Sequence, residues 1–374
     1  MAVTTALSFP MLNRNQLIFQ PLAARKNKFD VSKMIRPDAV RKNMGEKGEA
    51  VMRETIDRIR AARESGKSRM LTFGAHTIKN GLSPVLIRLI EDGWITHLAT
   101  NGAGIIHDWE LAFHGETSED VRENTSKGEF GASQETGFNI NMAIIMGAYH
   151  GLGYGASIGA MVHNDGFEIP NRGVLLSEAQ YLMESNPDKA LSAINLLQKI
   201  KELGLKHDQF VSVPHQYKEY GLQAAAYRLG IPFTGHPMIG HDIIYIHPAN
   251  SCIAIGQAAE RDFLAFAHNV SNLDGGVYIS LGSAVMSPMI FEKSLSMSQN
   301  LAIQNGRHID NHYMVIADLQ ECTWDWSQGE PPETDPAYYL RFMKTFARMG
   351  GTAHYMTADN RDFLLALWQG LQKV

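Results

Sequence analysis

Between residues 70 and 112 the chain passes twice from a short apolar run, through a glycine-containing turn, into a segment of helical period. Residues 70–73 read as a buried strand entering the turn Gly74-Ala75-His76. Ser83-Pro84 then opens a helix: Ser can cap, Pro suits the first turn, and Val85, Leu86 and Leu89 follow at helical spacing. Gly93 ends that helix and residues 94–100 read as a second strand. Asn101-Gly102-Ala103-Gly104 breaks the strand before a helix carrying Ile106, Trp109 and Leu111. A strand–helix–strand unit of this kind needs a crossover, and crossovers between parallel strands are right-handed. The expected fold class is therefore α/β, a Rossmann-like, mostly parallel sheet with helices on both faces.

The same alternation returns later. Residues 231–234, 243–246, 276–281, 313–317 and 353–356 read as strands, and 257–268, 289–301 and 337–349 as helices. A long helix starts at Pro187 and stops at Gly204, and a final one runs through Phe363, Leu364, Leu367 and Leu371. Residues 1–45 lack periodicity and read as an N-terminal arm; Met52, Ile56 and Ile59 then mark an amphipathic helix. No low-complexity linker follows, so residues 46–374 are expected to form a single α/β domain. At 44% hydrophobic and 20% charged residues the chain can bury a large core.

A formal net charge of -5 gives no electrostatic reason to expect nucleic acid, which demands clustered Lys and Arg. Only Cys252 and Cys322 occur, which argues against a disulfide framework and for a reducing, cytoplasmic setting. The first twenty residues lack a basic start followed by an apolar run, so a secretory signal is not expected. Residues 142–162 contain no Asp, Glu, Lys or Arg, and Gly147, Gly151, Gly155 and Gly159 recur every four residues. The run is long enough to span a bilayer, but its histidine, tyrosines and glycines lower its hydrophobicity. A buried, closely packed segment with no membrane partner is the expectation.

In an open parallel sheet, ligands sit outside the carboxyl ends of the strands. The residues expected there are 74–81, 100–108, His236, His241, Asp242, Gly282, Ser283, Asp318 and 357–359. Small residues let a cofactor approach the backbone, and free amides at a helix start suit a pyrophosphate. The glycine signals are ambiguous, since Asn-Gly-Ala-Gly fits a tight turn equally well and Gly151-Leu-Gly153-Tyr-Gly155 lies inside the apolar run. His236, His241 and His247 flank Asp242, and His107 precedes Asp108, which raises a metal site as a second possibility. None of these spacings matches a known ligand motif, so no metal ligand is assigned. Neither a P-loop ATPase nor a serine hydrolase is expected.

Four segments together resemble deoxyhypusine synthase and its bacterial relatives: residues 73–112, GIPFTGHPMIGHDIIYIHP (230–248), GGVYISLGSAVMSP (275–288) and TADNRDFLLAL (357–367). Order and spacing carry the resemblance more than identity. It implies a homotetramer binding NAD in sites shared between subunits, and the oxidation of a polyamine followed by aminoalkyl transfer through a lysine imine. By position it places His76, Asn101, Gly102, Ala103, Gly104, Asp318, Ala358 and Asp359 against NAD, and Asp242 against the amine. The sequence departs from the family where the catalytic lysine should stand, in residues 323–344: no Lys falls at the matching place, and Lys344 is displaced. Met286, Ser287 and Pro288 replace the histidine and lysine of the family's glycine-rich turn.

The expected function is thus an NAD-dependent enzyme acting on a polyamine or other amine-bearing small molecule. Asp242 would orient the cationic amine, His107 or His241 would move protons, and Trp324 and Asp325 would bind a cation through a ring face and a carboxylate. The alternatives are a His/Asp metal-dependent hydrolase or lyase, and a nucleotide-binding subunit without catalysis.

Overall fold

The computed structural model describes residues 9–373. Six short apolar runs become strands β1 (Arg69–Phe73), β2 (His97–Asn101), β3 (Phe233–His236), β4 (Val277–Leu281), β5 (Tyr313–Asp318) and β6 (Thr352–Thr357). Every neighbouring pair is parallel, and the order across the sheet is β3-β2-β1-β4-β5-β6. That is the Rossmann-like, doubly wound order, in which the direction of winding reverses between β1 and β4.

The runs are apolar on both sides because both sheet faces are covered. Leu71, Phe73, Leu98, Ile279 and Val315 point into one layer, with the helices Gly45–Glu64, Ser83–Glu91 and Asn360–Leu371. Met70, Ala99, Tyr278, Met314 and Ile316 point into the other, against Phe266, Phe291 and Phe346. The alternation follows from the two-residue period of a strand.

Four further helices frame the site: α1 (Gly102–His114), α2 (Gln134–Tyr149), α3 (Tyr154–Asn164) and α4 (Met286–Gln304). The uncharged run 142–162 is the end of α2, a break at 150–153 and most of α3, largely buried. Its glycines permit close contact: a Cβ on Gly147 would overlap Ser157, and one on Gly155 would overlap the carbonyl of Phe233. Among the described residues, no helix is long and apolar enough to cross a membrane.

Several boundaries differ from the sequence reading. Asn101–Gly104 is no separating turn; Asn101 caps α1 through Gly104 N at 2.9 Å, and the helix starts at once. Ile243–Ile246 is a 3-10 turn and not a strand. It is anchored by Ile244, which is fully buried in the first layer and whose carbonyl accepts from Asn141. The segment 337–349 divides into the short turn Pro336–Tyr339 and the helix Arg341–Ala347. Residues 1–8 of the expected arm lie outside the described residues. The remainder crosses the molecule, pairing Asn27–Asp30 antiparallel with Glu116–Glu119 and burying Leu22.

Candidate active site

Parallel strands in one sheet release all their following loops at one end, and two features gather there. The first is the crevice at the winding reversal. Gly74, after β1, lies so close to Gly282, after β4, that any Cβ on Gly74 would overlap the Gly282 carbonyl oxygen. Gly282 itself has φ +56°, in the left-handed region that glycine tolerates. Asn360, after β6, donates to Thr77 Oγ1 at 3.0 Å, so the loops from β1, β4 and β6 converge. Among the described residues, the amides of Ser283, Ala284, Val285 and Met286, leading into α4, have no acceptor.

The second feature is a cavity of about 180 Å³ on the β2–β3 side, whose walls include Lys79, Ala103, His107, Glu110, His241 and Asp242. His107 projects from α1. Its Nδ1 lies 2.7 Å from Thr117 Oγ1, which donates to Glu110 Oε2 at 2.6 Å. Because Thr117 has a single hydroxyl proton and gives it to Glu110, the contact to His107 requires that Nδ1 carry the ring proton. Nε2 is left as the lone-pair acceptor. Burial pushes the His107 pKa down to about 4 despite Glu110, and Lys79, Arg25 and His76 push the same way.

Glu110 is held by three donors. Arg25 Nη2 reaches it at 2.7 Å and Thr136 at 2.9 Å, besides Thr117. Burial is the largest single influence and opposes its charge, but Arg25, His107 and Thr117 together keep its pKa below the usual range. The other side of Arg25 meets Glu119 at 3.5 Å. A buried arginine thus lies between two buried glutamates, a cluster of one net negative charge that holds Thr117 and, through it, His107 in place.

Asp242 sits on the loop after β3, with its carboxylate against Gly102, where any Cβ would overlap it. Burial raises its pKa to about 6, opposed by the amide of Met238. Among the described residues its Oδ2 is buried with no hydrogen-bond partner, as are the hydroxyls of Tyr154 and Tyr245, two rings whose own ionisation Asp242 opposes. Unpartnered buried oxygens of this kind are costly unless a ligand or water meets them.

The remaining expected residues separate into groups. His76 is exposed on the helix Ala75–Lys79, beside Lys79 and near enough to depress His107. Gly102 and Gly104 are buried at the start of α1. Asp318 Oδ1 accepts from Gln320 N, Ala358 N donates to Asp318 O, and Asp359 caps the last helix through Arg361 N. Asp108, next to His107, points away and accepts from Leu222 and Gln223 amides at 2.9 Å each. Trp324 and Asp325 are not among the cavity-lining residues; Trp324 Nε1 donates to Gly329 O and its ring packs on the second layer. Lys344 Nζ lies 3.4 Å from the Tyr338 ring centroid and is likewise off the cavity wall.

The histidines of the metal alternative point apart. His236 shares Thr234 with His97 inside the sheet, His247 packs edge-on to Phe19 at 4.6 Å, and His241 is exposed. No group of three or more His, Cys, Asp or Glu among the described residues is placed to hold a metal. Residues 155–159 do spell Gly-x-Ser-x-Gly, which the sequence reading passes over. Ser157 lies in α3, donating to Gly153 O at 2.5 Å, and is no exposed nucleophile elbow. The start of α3 also holds the protein's own Asp262, which accepts from Gly155 N at 3.0 Å and Gly235 N at 2.7 Å. Arg25, Lys79, Glu110 and Glu119 were not singled out in the sequence. Lys79 stood within the loop after the first strand, but Arg25 and Glu119 offered no signal.

No protein-family model and no curated protein matches this chain. The solved structures that match do so remotely. AgrE, solved with ornithine and NAD+, matches over 90% of this chain at 15% identity with a TM-score of 0.45. A protein from Methanococcus maripaludis described as LOR/SDH matches over 90% at 14% identity and 0.43, this chain covering 71% of it. One from Entamoeba histolytica described as a deoxyhypusine synthase matches over 86% at 9% identity and 0.36, with 88% of its own length covered. This chain spans 34% of the AgrE chain.

Proposed function

We propose that this protein is an NAD-dependent enzyme that oxidises an amine-bearing small molecule. The observation that carries this reading is the adjacency, at one end of a doubly wound sheet, of a glycine-lined crevice at the winding reversal and a cavity walled by a neutral histidine and a carboxylate with one buried oxygen unpartnered among the described residues. The crevice fits a dinucleotide: Gly74 and Gly282 leave the backbone bare, and the unpartnered amides from Ser283 to Met286 suit a pyrophosphate. His76, Gly102, Ala103, Asp318 and Asp359 stand on the loops that would flank it. Bound NAD supplies a hydride acceptor, so that an amine and NAD+ become an imine, NADH and a proton.

The chain's own residues prepare the substrate. Asp242, charged above about pH 6, pairs with the ammonium form and draws it against the start of α1. His107 Nε2 accepts an N–H of the amine, its tautomer fixed by Thr117 and Glu110. His241 stands at the exposed side of the cavity, where it can pass a proton to solvent. Aminoalkyl transfer through a lysine imine is a finer step, and Lys344 does not line the cavity to perform it.

Calorimetric titration with NAD+ and a spectroscopic assay of NADH formation over a panel of amines test the reading. Wild-type protein should bind NAD+ and reduce it with at least one amine. Asp242→Asn should weaken amine binding by about tenfold or more while leaving NAD+ affinity nearly unchanged. Equal loss of both would contradict the placement of Asp242, and absence of NAD+ binding would remove the proposal. The resemblance also carries a homotetramer, which a native mass measurement checks.

A further inference from the structure

We infer that the substrate held in this cavity is an α-amino acid, with its carboxylate on Lys79 and its ammonium group on Asp242. The inference rests on the amine-oxidising reading above and names the class of amine. It follows from which charged groups on the cavity wall lack a partner. Arg25 pairs with both Glu110 and Glu119, a cluster of one net negative charge whose carboxylate oxygens are all occupied, by Arg25, Thr117, Thr136, the Gly131 amide and Asn124. Among the described residues, Lys79 makes no ion pair and its ammonium has no hydrogen-bond acceptor, although it stands on the cavity wall. Asp242 also lines the cavity, and among the described residues its Oδ2 has no partner. One ammonium and one carboxylate oxygen on the wall are therefore left without partners.

They stand on different elements. Lys79 ends the short helix after β1, next to His107 and His76, and Asp242 is on the loop after β3, with β2 between. The strands that lead to them are two inter-strand spacings apart, roughly 10 Å. Both residues line the cavity and no ion pair joins them among the described residues, so a group bearing both charges on neighbouring atoms can stand between them. A polyamine would set a second cation against Lys79, and a simple monoamine would leave Lys79 without a partner. A zwitterion satisfies both. The rest of the wall includes Ile106, Val121, Phe130 and Ile243, an apolar surface for an aliphatic side-chain stem.

The test uses matched pairs that differ only by the carboxylate: leucine and isoamylamine, norleucine and pentylamine, ornithine and putrescine, lysine and cadaverine. Binding is measured by calorimetry without cofactor, and NADH formation is followed separately with NAD+ present. In wild type at least one amino acid should bind about tenfold tighter than its decarboxylated partner. Lys79→Gln should cut that preference to roughly twofold or less, and Lys79→Arg should keep most of it, with melting temperature and NAD+ affinity unchanged in both. Amines that bind as well as their acids, no binding of any pair, or a Lys79→Gln effect on NAD+ in place of the amino acid would overturn the inference. If an amino acid binds through Lys79 but no NADH forms, the substrate assignment stands and the oxidation reading fails.

Discussion

At the scale of single residues, the proposed chemistry turns on how neighbours set the proton positions of His107 and Asp242. His107 is neutral because burial has lowered its pKa to about 4, and Thr117 decides which nitrogen holds the proton. Thr117→Val removes the acceptor of Nδ1–H and should lower turnover by about tenfold, while Thr117→Ser restores it. A Val variant of full activity would show that the tautomer is irrelevant. Asp242, raised to about 6, is charged above that pH and neutral below it. Binding of a cationic ligand should therefore fall about tenfold per unit as pH drops below about 6, and the Asp242→Asn profile should lose this limb. An acid limb that survives in Asp242→Asn would assign it to another group.

At the scale of elements, the uncharged run shows how one residue type serves two purposes. Gly151 has φ +80° with nothing within 4 Å of a prospective Cβ, so Gly151→Ala meets only left-handed strain of about 1 kcal/mol. Gly155→Ala would drive a Cβ into the Phe233 carbonyl of β3, and should cost about 3 kcal/mol or more. Urea unfolding of the two variants measures the difference; equal midpoints would refute the packing described for α3 on β3. The helix period of 134–149 and 154–164 is obscured in the sequence because these helices are buried nearly all round, which removes the exposed polar face that reveals a period. The sequence reads Ile243–Ile246 as a strand for a related reason: four large side chains in a row suit a buried strand and a half-buried 3-10 turn alike, and only the absence of a ladder partner among the described residues tells them apart.

At the scale of the whole molecule, burial of ionisable groups makes stability depend on pH in two opposed ways. Burial pushes His97 and His236 down to about 3, and His107, His215 and His247 down to about 4. Unfolded histidines titrate near 6.5, so the unfolded chain binds more protons below that pH, and stability is lost as pH falls from about 6.5 towards 4. Burial raises Asp108 to about 6 and Asp262 to about 7, as it raises Asp242. For these the folded chain binds more protons, and their contribution is lost as pH rises from about 4 to 7. The histidines outnumber the carboxylates, so the melting temperature should fall on acidification from pH 6.5 to 4.5. His236→Asn should flatten that fall; an unchanged slope would mean that His236 does not titrate on unfolding.

The sequence by itself determined the parallel α/β sheet, since alternating strands and helices with crossovers admit little else, and it pointed to the loops after each strand as the place to expect a ligand. It also put forward His107, His241, Asp242 and Ala103, which the fold brings to one cavity although more than 130 residues separate the first from the last. Tertiary structure alone decided the pairings that give those residues their properties. Arg25, from a segment without periodicity, reaches Glu110 on α1 and Glu119 beyond it, and Lys79 faces the cavity and Lys344 does not. The reason is physical: hydrophobic period is a local property of consecutive residues, whereas burial and charge compensation depend on which distant side chains share the same few ångströms.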